Sequence, residues 1–251
     1  RELGDYSKKL SGLTEDNSND ITDLLNDSHT LIGNLIKLQP SKEFNMEELL
    51  EETRESIFNR KTNIKTGIQK FDTVISGMTR GEITIIAGRP ANGKTTVAAN
   101  IARNLVMNGY RVAMFNREMP NTEMMKKFIA MEGDTISYRN LRHGIPASKT
   151  KVHEAMDFIH KNYTDKLFMF DDIRTLSDTF HEIKNVNPDV VIDDHIGLIE
   201  YPSNDRRDLR HKIGETTKQY KWLAKAEDMC VMLISQLNRN IEYRVDAVPR
   251  L

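Results

Sequence analysis

Gly88-Arg89-Pro90-Ala91-Asn92-Gly93-Lys94-Thr95 reads G-x-x-x-x-G-K-T, the pattern of a loop that wraps phosphates. The segment before it, Glu82-Ile83-Thr84-Ile85-Ile86-Ala87, is apolar, β-branched and bounded by Gly81, which predicts a buried strand. After it, Val97, Ile101 and Leu105 recur at helical spacing, with Ala98, Ala102 and Val106 beside them, until Gly109. A strand, a glycine loop and a helix start together aim backbone N–H groups and a helix N-terminus at an anion. In that frame Lys94 reaches the terminal phosphates and the Thr95 hydroxyl holds Mg²⁺, with Thr96 continuing the helical turn. The competing reading, a Gly-rich turn that matches by chance, is weakened by the flanking strand and helix. Residues 88–96 therefore predict a site for a nucleoside triphosphate such as ATP.

Outward from this loop, strands and helices alternate from Gly67 onward. Strands are expected over 82–87, 111–115, 167–171, 189–194 and 230–235, and helices over 97–108, 121–132, 150–161, 177–186 and 208–226. Strands separated by helices predict an α/β fold with a mostly parallel sheet covered on both faces. Ligands in such a sheet sit at the carboxyl ends of the strands.

Three strand ends carry further chemistry. Asp189-Val190-Val191-Ile192-Asp193-Asp194 is an apolar strand closed by two acids, one of which can hold Mg²⁺. Alternation puts the two on opposite faces of the sheet, so they compete for the role, and a pair of acids capping a turn is the plain alternative. Arg111-Val112-Ala113-Met114-Phe115-Asn116-Arg117-Glu118 also ends in an acid. Glu118 is a candidate for positioning the attacking water if its strand neighbours the loop strand, and equally a favourable charge near the helix that starts around Asn121. Ser235-Gln236 ends the strand over 230–235, and the Gln236 amide is a candidate hydrogen-bond partner for a γ-phosphate oxygen.

Basic segments follow these ends: Asn204-Asp205-Arg206-Arg207-Asp208-Leu209-Arg210-His211-Lys212, and Asn238-Arg239-Asn240 through Arg244. Arg206, Arg207, Arg210 and Arg239 are candidates for gripping nucleic-acid phosphates. With only Tyr201 and Tyr243 nearby for stacking, such contact would track the backbone, and the interspersed acids leave a solvated surface as the alternative.

Composition bounds these readings. The chain has 251 residues, 38% of them hydrophobic, enough for one large α/β domain and a smaller element. A formal net charge of -1 leaves any affinity for nucleic acid to local patches. Cys230 lies in the apolar run Met229-Cys230-Val231-Met232-Leu233-Ile234, which favours a buried thiol over a redox or metal role. No run is long and apolar enough for a membrane span, and Arg1-Glu2-Leu3 does not open a signal peptide, so a cytoplasmic protein without membrane contact is expected. A start other than Met marks the chain as a possible fragment.

The first forty residues differ in kind. Ile21, Leu24, Ser28, Leu31, Leu35 and Leu38 form a heptad-like stripe, and with a helix from Leu3 to Leu10 they predict a helical hairpin over 1–40. It reads as part of an α-helical domain or collar, or else as packing for the main domain. Pro40-Ser41-Lys42-Glu43 interrupts the pattern, and Asn45-Met46-Glu47-Glu48 resembles a capping box. The helix it starts, within a linker over 41–62, carries Met46, Leu49, Leu50, Thr53, Ile57 and Phe58 on one side. That stripe needs its own core or a neighbouring subunit. The main domain is expected over 63–251.

Taken together the motifs resemble the DnaB-type hexameric replicative helicases, close to members from Bacillus phages. The resemblance rests on Gly88-Arg89-Pro90, on Glu118-Met119 closing the next strand, and on Asp194-His195-Ile196-Gly197-Leu198-Ile199. It rests further on Ser235-Gln236-Leu237-Asn238-Arg239, on Asn140-Leu141-Arg142-His143-Gly144, and on Thr66-Gly67-Ile68-Gln69-Lys70-Phe71-Asp72. It covers roughly residues 45–245 and selects Asp194 over Asp193 as the magnesium residue.

The family resemblance implies a RecA-like core in a six-membered ring, with ATP at subunit interfaces and single-stranded DNA in the central channel. It also implies unwinding of forked DNA, a primase and a helicase loader as partners, and docking of the 46–58 helix on the neighbouring subunit. Two departures stand out. Asn116-Arg117 occupies the place where the family often has Ser-Leu, and the family's trans-acting Lys and Arg lie beyond this sequence. Two rivals share the loop: a RecA-type recombinase filament, disfavoured by the 46–58 helix, and a small-molecule kinase, for which no lid or acceptor pocket is evident.

Overall fold

The computed structural model describes residues 45–58, 63–201 and 207–236. The predicted hairpin over 1–40, Arg206 and the segment from Leu237, including Arg239, lie outside the described residues. The chain divides between Lys61 and Thr62 into two compact units.

The first unit contains helix α1, Met46–Phe58. Asn45 Oδ1 accepts from the Glu47 and Glu48 backbone N–H groups at 3.0 and 3.4 Å, the cap that the sequence predicts. Its apolar side chains face solvent: Met46, Leu49, Leu50, Ile57 and Phe58 are all exposed.

The second unit runs α2 (Gln69–Ile75), β1 (Ile83–Gly88), α3 (Lys94–Met107), β2 (Val112–Asn116), α4 (Asn121–Glu132) and α5 (Tyr138–Arg142). It continues with α6 (Lys149–Tyr163), β3 (Leu167–Phe170), α7 (Leu176–Val186), β4 (Val190–Asp194), a 3₁₀ turn (Ile196–Leu198), α8 (Leu209–Ala226) and β5 (Cys230–Gln236). All strand pairs are parallel, in the order β1-β5-β4-β2-β3. Parallel strands must be joined by crossovers, and the helices that make them cover both faces. One core packs α3, α4 and α6 on the sheet through residues such as Ile101, Leu105, Phe128, Ile159 and Ile192. The other packs α7 and α8 through Ile183, Tyr220, Leu223, Val191 and Leu233. Each fully buried aliphatic side chain contributes about 1.5–3 kcal/mol, so the central strands β2, β4 and β5 anchor the unit.

Two expectations change. Val97 is exposed at 37%, and α3 buries Ala98, Ala99, Ile101, Ala102, Leu105 and Val106 instead. The buried face is centred on the three alanines, Ile101, Leu105 and Val106, and Val97 lies outside it. The strand order also differs. β2 is not the neighbour of β1, because β5 and β4 stand between them.

The stretch Thr66–Asp72 has a structural cause. Asp72 accepts from Thr66 N and Oγ1 at 2.8 and 2.9 Å and from Gly67 N at 2.9 Å, which clasps the entry to α2. Gly67 has φ +77°, and a Cβ there would stand 2.5 Å from the Asn104 amide. Only glycine fits both the backbone angle and the helix that passes it.

Candidate nucleotide site

The Gly88–Thr95 loop leaves the end of β1 and crosses the ends of β5 and β4. It does so because α3, which starts at Lys94, lies against β1, β5, β4 and β2 together. Ala91 and Gly93 take positive φ, 63° and 76°, to turn the loop. A Cβ on Gly88 would meet the Lys94 stem at 3.3 Å. Lys94 Nζ donates to the Arg89 carbonyl at 3.0 Å, so the ammonium stays inside the curve of the loop.

A cavity of about 430 Å³ opens here, lined by Pro90, Ala91, Gly93, Lys94 and Thr95 from the loop, together with Glu118 and Gln236. Glu118 arrives although its strand is remote from β1, since the loop is carried across to it. Its alternative reading, a charge for the α4 N-terminus, is filled by Asp171, whose Oδ2 accepts from Asn121 N at 2.6 Å. Gln236 arrives by register, because it stands directly opposite Gly88 on the adjacent strand. Gly88, Arg89, Asn92 and Thr96 belong to the loop and first turn but not to the cavity wall, and Thr96 Oγ1 accepts from Lys127 Nζ at 3.3 Å.

The two acids ending β4 separate by face. The Asp194 carboxylate stands beside the Thr95 hydroxyl. Burial pushes its carboxyl above the usual range, the Thr95 hydroxyl opposes that, and the Glu118 charge adds to it. Asp193 is fully buried on the other side, in a fork with Arg117: Nε to Oδ1 at 2.7 Å and Nη2 to Oδ2 at 2.8 Å. Tyr220 donates to the same carboxylate.

One carboxylate and one hydroxyl are hard oxygen donors, few in number. That set fits Mg²⁺, which keeps several waters and takes other ligands from phosphates. Among the described residues no group of three or more His, Cys, Asp or Glu side chains offers an all-protein cage. Two buried polar atoms there lack a partner, Asn116 Oδ1 and His195 Nδ1, and both lie where β2 and β4 end at the site.

Sequence reasoning missed part of the wall: Met119, Pro120, Glu123, Tyr138 and Arg142 also line the cavity. Glu123 is held by Lys126, and Lys127 sits 4.6 Å from the Tyr138 ring centre. Burial draws the Lys127 ammonium below its ordinary value, and Arg142 adds to that while Asp194 opposes it. The stretch 140–144 was the sole pointer to Arg142, and it names no role. Of the proposed DNA-contacting arginines, Arg207 and Arg210 are described; Arg210 lies in the exposed first turn of α8. Within the same run Asp208 caps α8, accepting from His211 N at 2.9 Å. No described helix is long and apolar enough to cross a membrane.

A family model described as "DnaB-like helicase C terminal domain" matches residues 63–251. The chain is 29% identical to the replicative DNA helicase DnaB of Geobacillus stearothermophilus, over 82% of this chain and 48% of that protein. It is 26% identical to the replicative DNA helicase DnaC of Bacillus subtilis, over 92% of this chain and 54% of that one. The chain thus spans about half the length of the curated relatives it matches. Among solved structures, the ATPase domain of G40P superposes with a TM-score of 0.71 at 25% identity, covering 84% of this chain and 77% of that one. A DnaB-like replicative helicase described with its interactions with primase also gives 0.71, at 22% identity, covering 98% of this chain and 59% of that one.

Proposed function

Because the chain belongs to the DnaB-like helicase C-terminal domain family, we propose that it is the motor of an ATP-driven replicative DNA helicase, working as a hexameric ring on single-stranded and forked DNA. The observation that carries this reading is the meeting of Lys94, Thr95, Glu118 and Gln236 around one cavity, with Asp194 beside Thr95.

The loop backbone from Gly88 to Thr96 cradles the phosphates of ATP, and Lys94 neutralises charge on the transferring group. Thr95 and Asp194 would hold Mg²⁺, which would supply charge stabilisation at the phosphates. Glu118 orients and deprotonates the attacking water. Gln236 reports phosphate occupancy to the segment that follows β5. Arg206, Arg207, Arg210 and Arg239 grip the DNA backbone. A cation from the adjoining subunit completes the site, and α1 docks on that subunit through Met46, Leu50, Thr53 and Ile57. A primase and a loader are the partners that such a motor requires, in line with the relative described with primase.

The test is Mg²⁺-dependent ATPase with and without single-stranded DNA, alongside forked-duplex unwinding. Wild type should hydrolyse ATP faster with DNA, and Arg207→Ala/Arg210→Ala should lose that stimulation while keeping the basal rate. Basal hydrolysis indifferent to DNA would overturn the motor reading.

A further inference from the structure

Immediately before Glu118 stands Arg117, and immediately before Asp194 stands Asp193; the two preceding residues meet behind the sheet. The Arg117 side chain is 3% exposed and that of Asp193 0%, so the pair is removed from solvent. Arg117 does more than pair. Nη1 donates to the Ile173 carbonyl at 2.9 Å, Nη2 donates to Thr179 Oγ1 at 2.9 Å, and its backbone N donates to the Asp194 carbonyl at 3.3 Å. Tyr220, from α8, closes the cluster on Asp193. One guanidinium therefore ties the ends of β2 and β4, the segment after β3, and α7 into a single knot.

We propose that Arg117 is a positioning residue, whose fork on Asp193 sets the gap between Glu118 and Asp194 from the side of the sheet opposite the cavity. The proposal rests on the ATPase reading above. Arg117 and Asp193 each stand one peptide unit from a member of the site, so a shift of the fork is passed directly to both carboxylates. A displacement of about 1 Å in such groups costs on the order of a hundredfold in rate. A buried polar knot is a poor source of stability for its desolvation cost, and its use is to fix one geometry. Asp193, buried and opposite Arg117, supplies the counter-charge that lets a guanidinium be buried there.

Three variants test this, each confirmed folded by circular dichroism well below its melting temperature. Arg117→Met should lower kcat about tenfold or more while KM for ATP stays within about threefold, since loop and Lys94 are untouched. Arg117→Lys keeps a charge on Asp193 but cannot span the fork, and should lose about threefold or more in kcat with KM unchanged. Arg117→Met/Asp193→Leu removes both charges and should regain melting temperature while kcat stays low, since the fork that sets the gap is gone; recovery of both together would mark a structural role only and overturn the proposal. Wild-type kcat in folded Arg117→Met would overturn the proposal. Should that variant not fold, wild-type kcat in Arg117→Lys would do the same. Absence of Mg²⁺-dependent hydrolysis in the unmodified protein would instead defeat the ATPase reading.

Discussion

Lys94 and Glu118 face the same cavity, and the proposed chemistry gives them different tasks that substitution should separate. Lys94→Ala removes the charge assigned to neutralising the phosphates, so nucleotide affinity and turnover should fall together. Glu118→Gln keeps the shape of the wall and should hold ATP within about threefold of wild-type affinity, while losing on the order of 10²–10⁴ in turnover. Equilibrium binding beside steady-state hydrolysis reads both, and normal turnover in the Gln variant would remove Glu118 from the water-positioning role. The two aspartates at the end of β4 should also part company. Asp194→Asn should raise the Mg²⁺ concentration needed for half-maximal rate. Asp193→Asn should leave Arg117 buried without a counter-charge and cost about 3–5 kcal/mol in denaturant unfolding. Alternation along the strand made the opposite facing of these acids legible, but not which one faced the loop; the family resemblance made that choice. The partner of Arg117 was not legible at all, because Asp193 lies 76 residues away in sequence and nothing local marks the pair.

Helices and strands were legible where a periodic apolar pattern ran to a cap. Ser148, Thr175 and Asp208 each accept from a backbone N–H three residues on, at the starts of α6, α7 and α8. The short helices α2 and α5, of seven and five residues, carry too little periodicity to be seen. Strand adjacency is a property of crossovers rather than of any one segment, which is why the place of β5 was missed while its existence was not. Helix α1 holds the prediction for this scale. Leu50 and Ile57 are each 61% exposed on an amphipathic helix, so both can be made acidic without harming the fold of the other unit. Leu50→Asp/Ile57→Asp should give smaller species that still bind nucleotide and have lost nearly all turnover, because a buried unpaired carboxylate is costly at a docking face. Light scattering with ATPase across a dilution series is the measurement, and full activity in a monomeric double variant would defeat docking through α1.

At the scale of the whole molecule, Cys230 reports on the sheet. It is fully buried at the start of β5, and burial pushes its thiol up to about 11. Because the folded value lies above the unfolded one of 9.0, the thiol favours the folded state at neutral pH, and this contribution fades as pH climbs from about 9 toward 11. Labelling by a thiol reagent at pH 8 should therefore follow global unfolding, and saturating Mg²⁺–ATP should slow it, by about hundredfold at a hundred times Kd. Rapid labelling of native protein would show that the sheet opens locally at β5.

The position of that strand also sets a schedule. β5 comes after every other described strand in the chain, yet it stands between β1 and β4 and is the partner of β1 among the described strands. A ribosome releases β1 and its loop long before it releases Cys230–Gln236, and until then β1 has no edge to join. A partly synthesised chain therefore waits without the Gln236 wall of the cavity, and any competence to hold a nucleotide there arrives with the strand that locks the middle of the sheet.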